Sequence, residues 1–569
     1  MAVTELIEAF SALQLGAGSP LDFLFEPWSF HFGKGDIFAK NRWNSIMNGA
    51  KIGTAFVAAG FLLLEIRARR LGSPIPKVWA KRIYLALVVF STWLYFDGFN
   101  PNVRYVNYYH RHELFHYYLG SKYFKEVGYP RLYECAAVAE TELVGKNRMK
   151  DREIRDLGVN LVKPMSKTYI FDIPENCKDH FSGERWDAFK ADVKWIEQSA
   201  RGQYWKDMFK DHGYNPPPVW TMTGHLLSSI DVASDSFFKK LALLDVILHI
   251  GVISMLGWAF GFRAMMIGAV FWGCNAPANF YWTGGAFMRM DWIFLLVSAT
   301  AFAKKRYFAL AGAALAWSAL LRVFPAILFG GWVAMGACFW LKHRRAMPEL
   351  KRALGGVIVA VGILVPASMA VCGPDSYAQF KHHISTHKST PLTNHMGLET
   401  ILTHNWEGRM RFSRDDRLDD GFQPWKDGRT QRKEERRPLF YLVWALTAGW
   451  IGWALRRTRL IWIAIPMGVP MVIALLNLTC YYYSVFIPIA ALATVRRSLG
   501  PALLTTAGAS QVLLGPPNWS TFYWIDDRYT ALSYLFWLMA LLTLYAYSRP
   551  LTPERLRAWW AGRAEPRAN

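Results

Sequence analysis

Long apolar runs recur along this chain, and they restrict its fold more than any other feature of the sequence. A transmembrane helix needs about 20 consecutive, mostly apolar residues, and thirteen runs come close to that length. Because lipid offers the backbone no hydrogen-bond partners, each run is expected to form a helix. The sequence therefore predicts an all-α polytopic membrane protein with about 11–13 transmembrane helices. The runs cover residues 46–66, 82–97, 240–258, 263–280, 289–303, 306–323, 325–341, 352–372, 439–455, 460–478, 483–495, 500–515 and 529–547.

The composition agrees with a membrane-embedded chain. Of the 569 residues, 53% are hydrophobic and only 19% are charged, and the 26 Trp, 37 Phe and 25 Tyr suit a protein with many interfacial aromatic side chains. A disordered chain, a collagen and a disulfide scaffold are excluded. The six cysteines form no CxxC pair, so a zinc ribbon and a redox motif are also excluded. Cys135 and Cys177 could pair in an oxidising compartment, although their spacing does not decide it.

Clusters of Lys and Arg predict the orientation of the chain. Short loops rich in these residues stay cytoplasmic, and with thirteen spans every such cluster falls on one side of the membrane. The net charge of +22 is therefore attributed to orientation and to contact with anionic lipids, and not to nucleic-acid binding. The main clusters lie at residues 67–82, 304–306, 342–352, 456–459, 496–497 and 549–567.

The same span count divides the chain into membrane parts and two external loops. The first loop is too long to be a simple linker, so it is expected to fold. The predicted parts are an N-terminal segment (1–45), the first two transmembrane helices (46–97), a large external loop with surface helices (98–239), a group of transmembrane helices (240–372), an external His-containing loop (373–438), further transmembrane helices (439–547) and a basic cytoplasmic tail (548–569).

A carboxylate stands where the second span enters the large external loop. This residue is Asp97, and an acid at the membrane boundary is costly unless it is solvated or used. Burial beside apolar walls raises the pKa of a carboxyl group, which suits it to accept a proton from a substrate hydroxyl. Asp97 is therefore a candidate general base, and the alternative is a hydrated acid at the end of a helix.

The external loop also contains a literal HExxH motif, formed by His112, Glu113 and His116. On a helix, two His residues four positions apart share a face and can bind one zinc ion, while the Glu polarises a metal-bound water. Glu140 and Glu142 are candidates for the third ligand. The surrounding Tyr and Phe residues are equally compatible with an interfacial aromatic helix that binds no metal. The sequence therefore leaves open whether this motif binds a divalent metal ion.

Cationic side chains stand at span ends and in the second external loop. Arg322 lies at a span boundary, where a guanidinium can bind a lipid phosphate in bidentate fashion, and Arg289 is a second candidate. His387 and His395 can act as neutral donors or as cations near a phosphate. The spacing of the His residues matches the histidine boxes of a di-iron membrane oxygenase poorly.

In their order along the chain, these features resemble the GT-C superfamily of integral-membrane glycosyltransferases, and in particular its polyprenol-phosphate mannosyltransferase-like branch. The resemblance covers residues 80–547. A long span before the one that carries Asp97, and the HExxH motif, depart from the family pattern. The matching pieces are Phe96-Asp97-Gly98, the segment from Asp211 to Trp220, the Leu244-Asp245 pair, the Leu321-Arg322-Val323-Phe324-Pro325 turn, the loop from Phe380 to Leu398 and the Cys480-Tyr481-Tyr482-Tyr483 end.

The resemblance implies an inverting transfer of a hexose, such as mannose, from a polyprenol-phosphate donor to a lipid or glycan acceptor. It implies a site on the external face of a membrane, which we expect to be the bacterial plasma membrane. Membrane lipids are expected as partners and nucleic acid is not. The implied residues are Asp97 or Glu113 as the base, Arg322, His387, His395 and Arg289 around the donor phosphate, and Tyr481, Tyr482 and Tyr117 lining the substrate.

Two functions from other classes are also compatible with the sequence. A membrane zinc metalloprotease would use His112, Glu113 and His116. A polytopic transporter would place ionisable residues near the membrane midplane, and Asp245 and His249 lie one turn apart in the third span.

Overall fold

Each of the thirteen apolar runs coincides with a helix or with a short series of helices. The computed structural model describes residues 37–99, 109–200, 202–388, 390–418, 420–514 and 525–548. Most of the predicted N-terminal segment and nearly all of the basic tail lie outside the described residues. Within the described part the chain is all-α, and its four short strands form two small pairs.

Six helices of the described residues are long and apolar enough to cross a membrane. They are Trp43–Arg70, Asp235–Phe260, Phe324–His343, Pro348–Cys372, Arg437–Leu455 and Ile525–Ser548. Shorter apolar helices stand at the other predicted spans, and their bounds are Phe262–Cys274, Phe308–Leu321, Ile461–Leu475, Cys480–Leu492 and Leu499–Leu514. Lys77–Tyr95 and Asp291–Lys304 complete the series. The chain is therefore a membrane-embedded helical protein.

Glycine allows two of these helices to cross with their backbones in contact. A Cβ atom on Gly312 would lie 1.8 Å from the carbonyl oxygen of Ala353, and one on Gly356 would lie 1.8 Å from that of Ala309. Helices Phe308–Leu321 and Pro348–Cys372 therefore meet at a separation that only small residues permit. Such contacts matter in lipid because apolar burial does not by itself drive two helices together there.

The large loop that the sequence predicts to be external folds into a domain of short helices and one hairpin, which we call the external domain. An aromatic cluster packs at its centre, with the Phe115 ring 5.9 Å from Tyr133 and 5.1 Å from Trp205 between centroids. Strands Glu153–Asp156 and Leu161–Pro164 pair antiparallel. The helices are Arg111–Leu114, the π-helix Phe115–Leu119, Gly120–Lys122, Phe124–Val127, Leu132–Val144, Glu175–Lys178, Gly183–Ala200, Gly202–Met208 and Pro218–Ser228.

A buried carboxylate fastens the external domain to the membrane helices. Asp192, on helix Gly183–Ala200, accepts a hydrogen bond from the Tyr123 hydroxyl at 2.7 Å and from the Ala233 backbone N–H at 2.8 Å. The Lys122 ammonium lies 2.9 Å from the same carboxylate. Ala233 is followed directly by the helix Asp235–Phe260. The Asp192 carboxylate therefore helps to hold the domain on that helix, together with the hydrogen bond from the Tyr109 hydroxyl to Asp235.

The external domain also contains a disulfide between Cys135 and Cys177. Replacing Cys135 with Ser is expected to lower the free energy of unfolding of the domain by about 2–5 kcal/mol, because the crosslink restricts the unfolded chain. Thermal unfolding followed by limited proteolysis within residues 109–239 would measure the loss. Cys338→Ser is the control, since Cys338 is a free cysteine. An equal effect of both variants would show that the disulfide contributes nothing specific.

The second external loop is attached to two membrane helices. Its strand His395–Met396 pairs antiparallel with Leu478–Thr479, directly before the Tyr481 and Tyr482 pair. The Arg409 guanidinium donates to Asp527, at the start of the last long helix, at 3.2 Å. The loop helices are Ser376–Lys388, Leu398–Thr403, Met410–Ser413 and Gln423–Glu435.

Candidate functional site

Two buried arginines lie near one tyrosine where the membrane helices meet the external domain. Arg289 and Arg322 are each 6% exposed. The Arg289 guanidinium lies 5.9 Å from the centre of the Tyr117 ring, and the Arg322 guanidinium lies 6.0 Å from it. We call Arg289, Arg322, Tyr117 and the carboxylates Glu113 and Asp291 the arginine cluster. Tyr117 comes from the external domain, so the cluster forms where that domain meets the membrane helices.

Arg289 is held through its side chain and its backbone. Its Nη1 donates to the Glu113 carboxylate, and its guanidinium stacks 4.1 Å from the centre of the Tyr481 ring. The backbone N–H of Arg289 donates to Asp245 Oδ1 at 2.8 Å. Asp245 therefore positions the loop that carries Arg289.

Arg322 keeps part of its guanidinium unsatisfied. It stands where helix Phe308–Leu321 ends, and its Nη1 donates to the Leu321 carbonyl at 2.8 Å. Its buried Nη2 has no hydrogen-bond partner among the described residues, and the same is true of Asp291 Oδ2. Asp291 attracts Arg322 electrostatically but does not bond to it. Because an unsatisfied buried charge is costly, this position favours a bound polar group.

The predicted substrate-lining tyrosines meet beside these arginines. Tyr481 and Tyr482 lie in the 3-10 helix Cys480–Phe486, and their ring centroids are 4.6 Å apart. Tyr482 packs against Phe324 at 5.0 Å, directly after the Arg322 turn. Burial raises the pKa of Tyr117 above its ordinary value, so its hydroxyl stays protonated and can donate a hydrogen bond.

Asp97 is held elsewhere, against the first membrane helix. Its carboxylate accepts from Lys51 Nζ at 2.7 Å, and its carbonyl accepts from Trp43 Nε1 at 3.1 Å. Its φ of +49° is the left-handed conformation that Asp tolerates better than most residues. Within the described residues, none of its ion pairs or hydrogen bonds reaches Arg289 or Arg322.

The two predicted histidines stand at different places. His395 is buried, and its Nδ1 lies 3.3 Å from Asn477 Nδ2. The strand pairing places it opposite Thr479, two residues before Tyr481. His387 belongs to helix Ser376–Lys388, and its side chain lies outside the described residues.

The HExxH motif does not form a single continuous α-helical turn. The α-helix Arg111–Leu114 continues as the π-helix Phe115–Leu119. The rings of His112 and His116 still meet, with centroids 4.6 Å apart, but Glu113 turns to Arg289.

The third group beside the two histidines is Asp211, whose Oδ2 lies 3.8 Å from His112 Nε2. One donor atom each from His112, His116 and Asp211 lie within 4.8 Å of one another. The glutamates that the spacing suggested as third ligand are bound elsewhere. Glu140 pairs with Arg152 at 2.5 Å, and Glu142 pairs with Lys178. Asp211 therefore occupies the position of the third candidate ligand, for which the sequence suggested one of these glutamates.

Burial and the neighbouring histidines shift the pKa values of His116 and Asp211. Burial lowers the pKa of His116 to about 4, with a smaller contribution from His112, so the ring is neutral at pH 7. For Asp211, partial burial raises the pKa, but His112, His116 and His212 together lower it below its ordinary value. A neutral imidazole beside a charged carboxylate is the protonation state that metal ligands require.

Comparison with known proteins identifies no relative. No family model, no curated protein and no solved structure matches the chain. The function is therefore inferred from the residues of the site themselves.

Sequence reasoning missed Lys51 and Trp220 and did not assign Asp211 to the histidines. Lys51 had a detectable signal, because a lysine inside an apolar span is rare and usually has a partner. Trp220, whose ring lies 5.7 Å from the Arg322 guanidinium, had none. Asp211 also had none, because only folding brings it to a motif far away in the sequence.

Proposed function

We propose that this chain is an integral-membrane glycosyltransferase of the GT-C type. In this proposal it transfers a hexose, such as mannose, from a polyprenol-phosphate donor to a hydroxyl of a lipid or glycan acceptor. The observation that supports it most is the buried Arg322 guanidinium with an unsatisfied nitrogen, close to a second buried arginine. Two such cations at the external ends of membrane helices suit the phosphate of a lipid-linked donor.

The arginines would hold the phosphate that leaves. Guanidinium groups bind phosphate oxygens in bidentate fashion. Negative charge grows on the phosphate as its bond to the sugar breaks, and buried, fixed cations stabilise that charge strongly. The tyrosine rings beside the arginines offer a surface on which a sugar can stack.

The transfer step is a single displacement at the anomeric carbon. The acceptor oxygen forms a bond to that carbon, and the bond from the carbon to the phosphate oxygen breaks. The electron pair leaves with the polyprenol phosphate, and the acceptor proton goes to a carboxylate. We assign the carboxylate role to Glu113, because it contacts Arg289 whereas Asp97 pairs with Lys51. A donor phosphate that draws Arg289 away would free Glu113 to accept the proton.

The disulfide supports a site on the non-cytoplasmic face. Disulfides persist in oxidising compartments, and the pair Cys135–Cys177 belongs to the external domain. The basic clusters point to the opposite, cytoplasmic side. Both features favour an arginine cluster on the non-cytoplasmic face, and the membrane we propose is the bacterial plasma membrane.

The two alternative functions gain less support. In a metalloprotease of the HExxH type the glutamate polarises a metal-bound water, whereas the Glu113 carboxylate is bound by Arg289. In a transporter Asp245 would be a candidate ion-binding group, but its Oδ1 accepts the backbone N–H groups of Arg289 and Met290.

The test is a transfer assay with the purified full-length protein in lipid. A panel of radiolabelled polyprenol-phosphate hexoses would be offered with lipid and glycan acceptors. We expect transfer from at least one donor, with inversion seen by NMR of the product. If the whole panel gives neither donor binding nor transfer, the proposed enzyme class is wrong.

A further inference from the structure

We propose that His112, His116 and Asp211 form a binding site for a divalent transition-metal ion on the external domain. One donor atom each from these three residues lie within 4.8 Å of one another. Two of them belong to the turn that carries Glu113, and the third comes from a distant part of the domain. The site does not depend on the proposed sugar transfer, and its ligands differ from those of the HExxH reading.

The donor set indicates the class of ion. Two imidazole nitrogens and one carboxylate oxygen suit Zn²⁺ and similar first-row ions, whereas Mg²⁺ and Ca²⁺ prefer oxygen ligands alone. Three protein ligands leave at least one coordination position for water. Zn²⁺ is therefore the appropriate probe.

His116 has the surroundings of a metal-binding histidine. Its Nδ1 lies 2.6 Å from the His112 carbonyl oxygen, so an N–H on Nδ1 donates there and Nε2 keeps its lone pair. Metal-bound histidines commonly donate their other N–H in this way. Nε2 accepts a hydrogen bond from the Tyr133 hydroxyl at 2.5 Å, and the Tyr133 oxygen accepts the Gly213 N–H at 2.9 Å. A metal ion bound to His116 Nε2 would replace its hydrogen bond with Tyr133 and leave the bond from the Gly213 N–H to Tyr133 in place.

The local backbone also brings the ligands together. The helix widens into a π-helix at Phe115–Leu119, which contains His116, and such widened turns are frequent at functional sites. The Asp211 side chain is 46% exposed and that of His112 is 23% exposed. An ion in solution can therefore reach two of the three ligands directly.

The bound ion would fasten the Glu113 turn to the segment that begins at Asp211. That segment leads through Tyr214 to helix Pro218–Ser228, and the Tyr214 ring lies 6.1 Å from the ring of Tyr117. Because metal binding to a folded site adds to folding free energy, the ion is expected to stabilise the external domain. Glu113 is engaged by Arg289 and is therefore not placed to act as a base on a water bound to this ion.

Zinc binding to the purified full-length protein tests the site. The protein is stripped with a chelator, titrated with Zn²⁺ alone and analysed for bound metal. We expect one zinc ion per chain and a rise in melting temperature on binding. His112→Gln and Asp211→Asn each remove a ligand, so each is expected to weaken binding by more than the roughly 10–100-fold lost when an outer-shell partner is removed. His180→Ala is the control, because His180 is an exposed histidine of the same domain, and Glu113→Gln is expected to retain zinc.

A second measurement separates lost ligands from lost folding. Co²⁺ replaces Zn²⁺, and its visible absorption reports the ligands directly, whatever the stability of the variant. Stripped wild type and stripped variants are compared by melting temperature in parallel. The proposal fails if zinc does not bind at micromolar concentration, or if His112→Gln and Asp211→Asn leave the affinity and the Co²⁺ spectrum unchanged. Loss of zinc in Glu113→Gln would show that Glu113 is itself a ligand and would overturn the proposed ligand set.

Discussion

Arg322→Gln is expected to reduce sugar transfer by about 10²–10³-fold, the effect of removing one donor that stabilises charge on a reacting group. The guanidinium lies buried with an unsatisfied Nη2, so it is already prepared for a phosphate and needs little reorganisation. Glutamine keeps some polar character but carries no charge. Initial rates with the best donor of the panel, and donor binding measured separately, would show whether the loss lies in binding or in the transfer step.

Two further variants test this prediction: Arg322→Lys is the conservative replacement and Arg345→Gln is the control. Lysine keeps the charge but loses the planar fork that binds two phosphate oxygens, so it should recover only part of the rate. Arg345 is an exposed member of a basic cluster on the predicted cytoplasmic side, and its replacement should leave transfer unchanged. Equal rates for wild type and Arg322→Gln would show that the donor phosphate does not bind at Arg322.

Glu113→Gln is the second prediction with a large effect, with an expected loss of about 10²–10⁴-fold in kcat, typical of removing a general base. The amide oxygen can still accept a hydrogen bond from Arg289, so the geometry of the cluster is largely retained. The group can no longer take a proton. The affinity for the donor should therefore change little, and the loss of activity should appear in kcat.

Asp97→Asn is the matched comparison for Glu113→Gln. Asp97 pairs with Lys51 inside the membrane helices, so its neutral replacement leaves a buried ammonium without its counter-charge and should lower the melting temperature. We expect transfer by the folded fraction to persist. The opposite result, with transfer lost in Asp97→Asn and retained in Glu113→Gln, would move the base to Asp97, as the family resemblance implies.

The helices of this protein could be predicted well, and the composition of its site only in part. The apolar runs mark helices because lipid excludes every other backbone structure at that depth, and all thirteen runs coincide with helical segments. Arg289, Arg322, Tyr481 and Tyr482 were selected at span ends and Tyr117 in the large loop, and they do lie together. Asp97 was selected on the same grounds, yet it pairs with Lys51. The position of a charged residue at the end of a span does not show which residue it will pair with in the folded protein.

The sequence alone determined the all-α membrane class, the location of the helices and the position of the two long loops along the chain, because these depend on local hydropathy and on the length of each run. Only the tertiary structure decided that Glu113 meets Arg289, that Asp211 joins His112 and His116, and that Cys135 pairs with Cys177. The partners in each case lie far apart along the chain. Their contacts depend on how the external domain packs on the membrane helices and on itself, and no local pattern of residues records that packing.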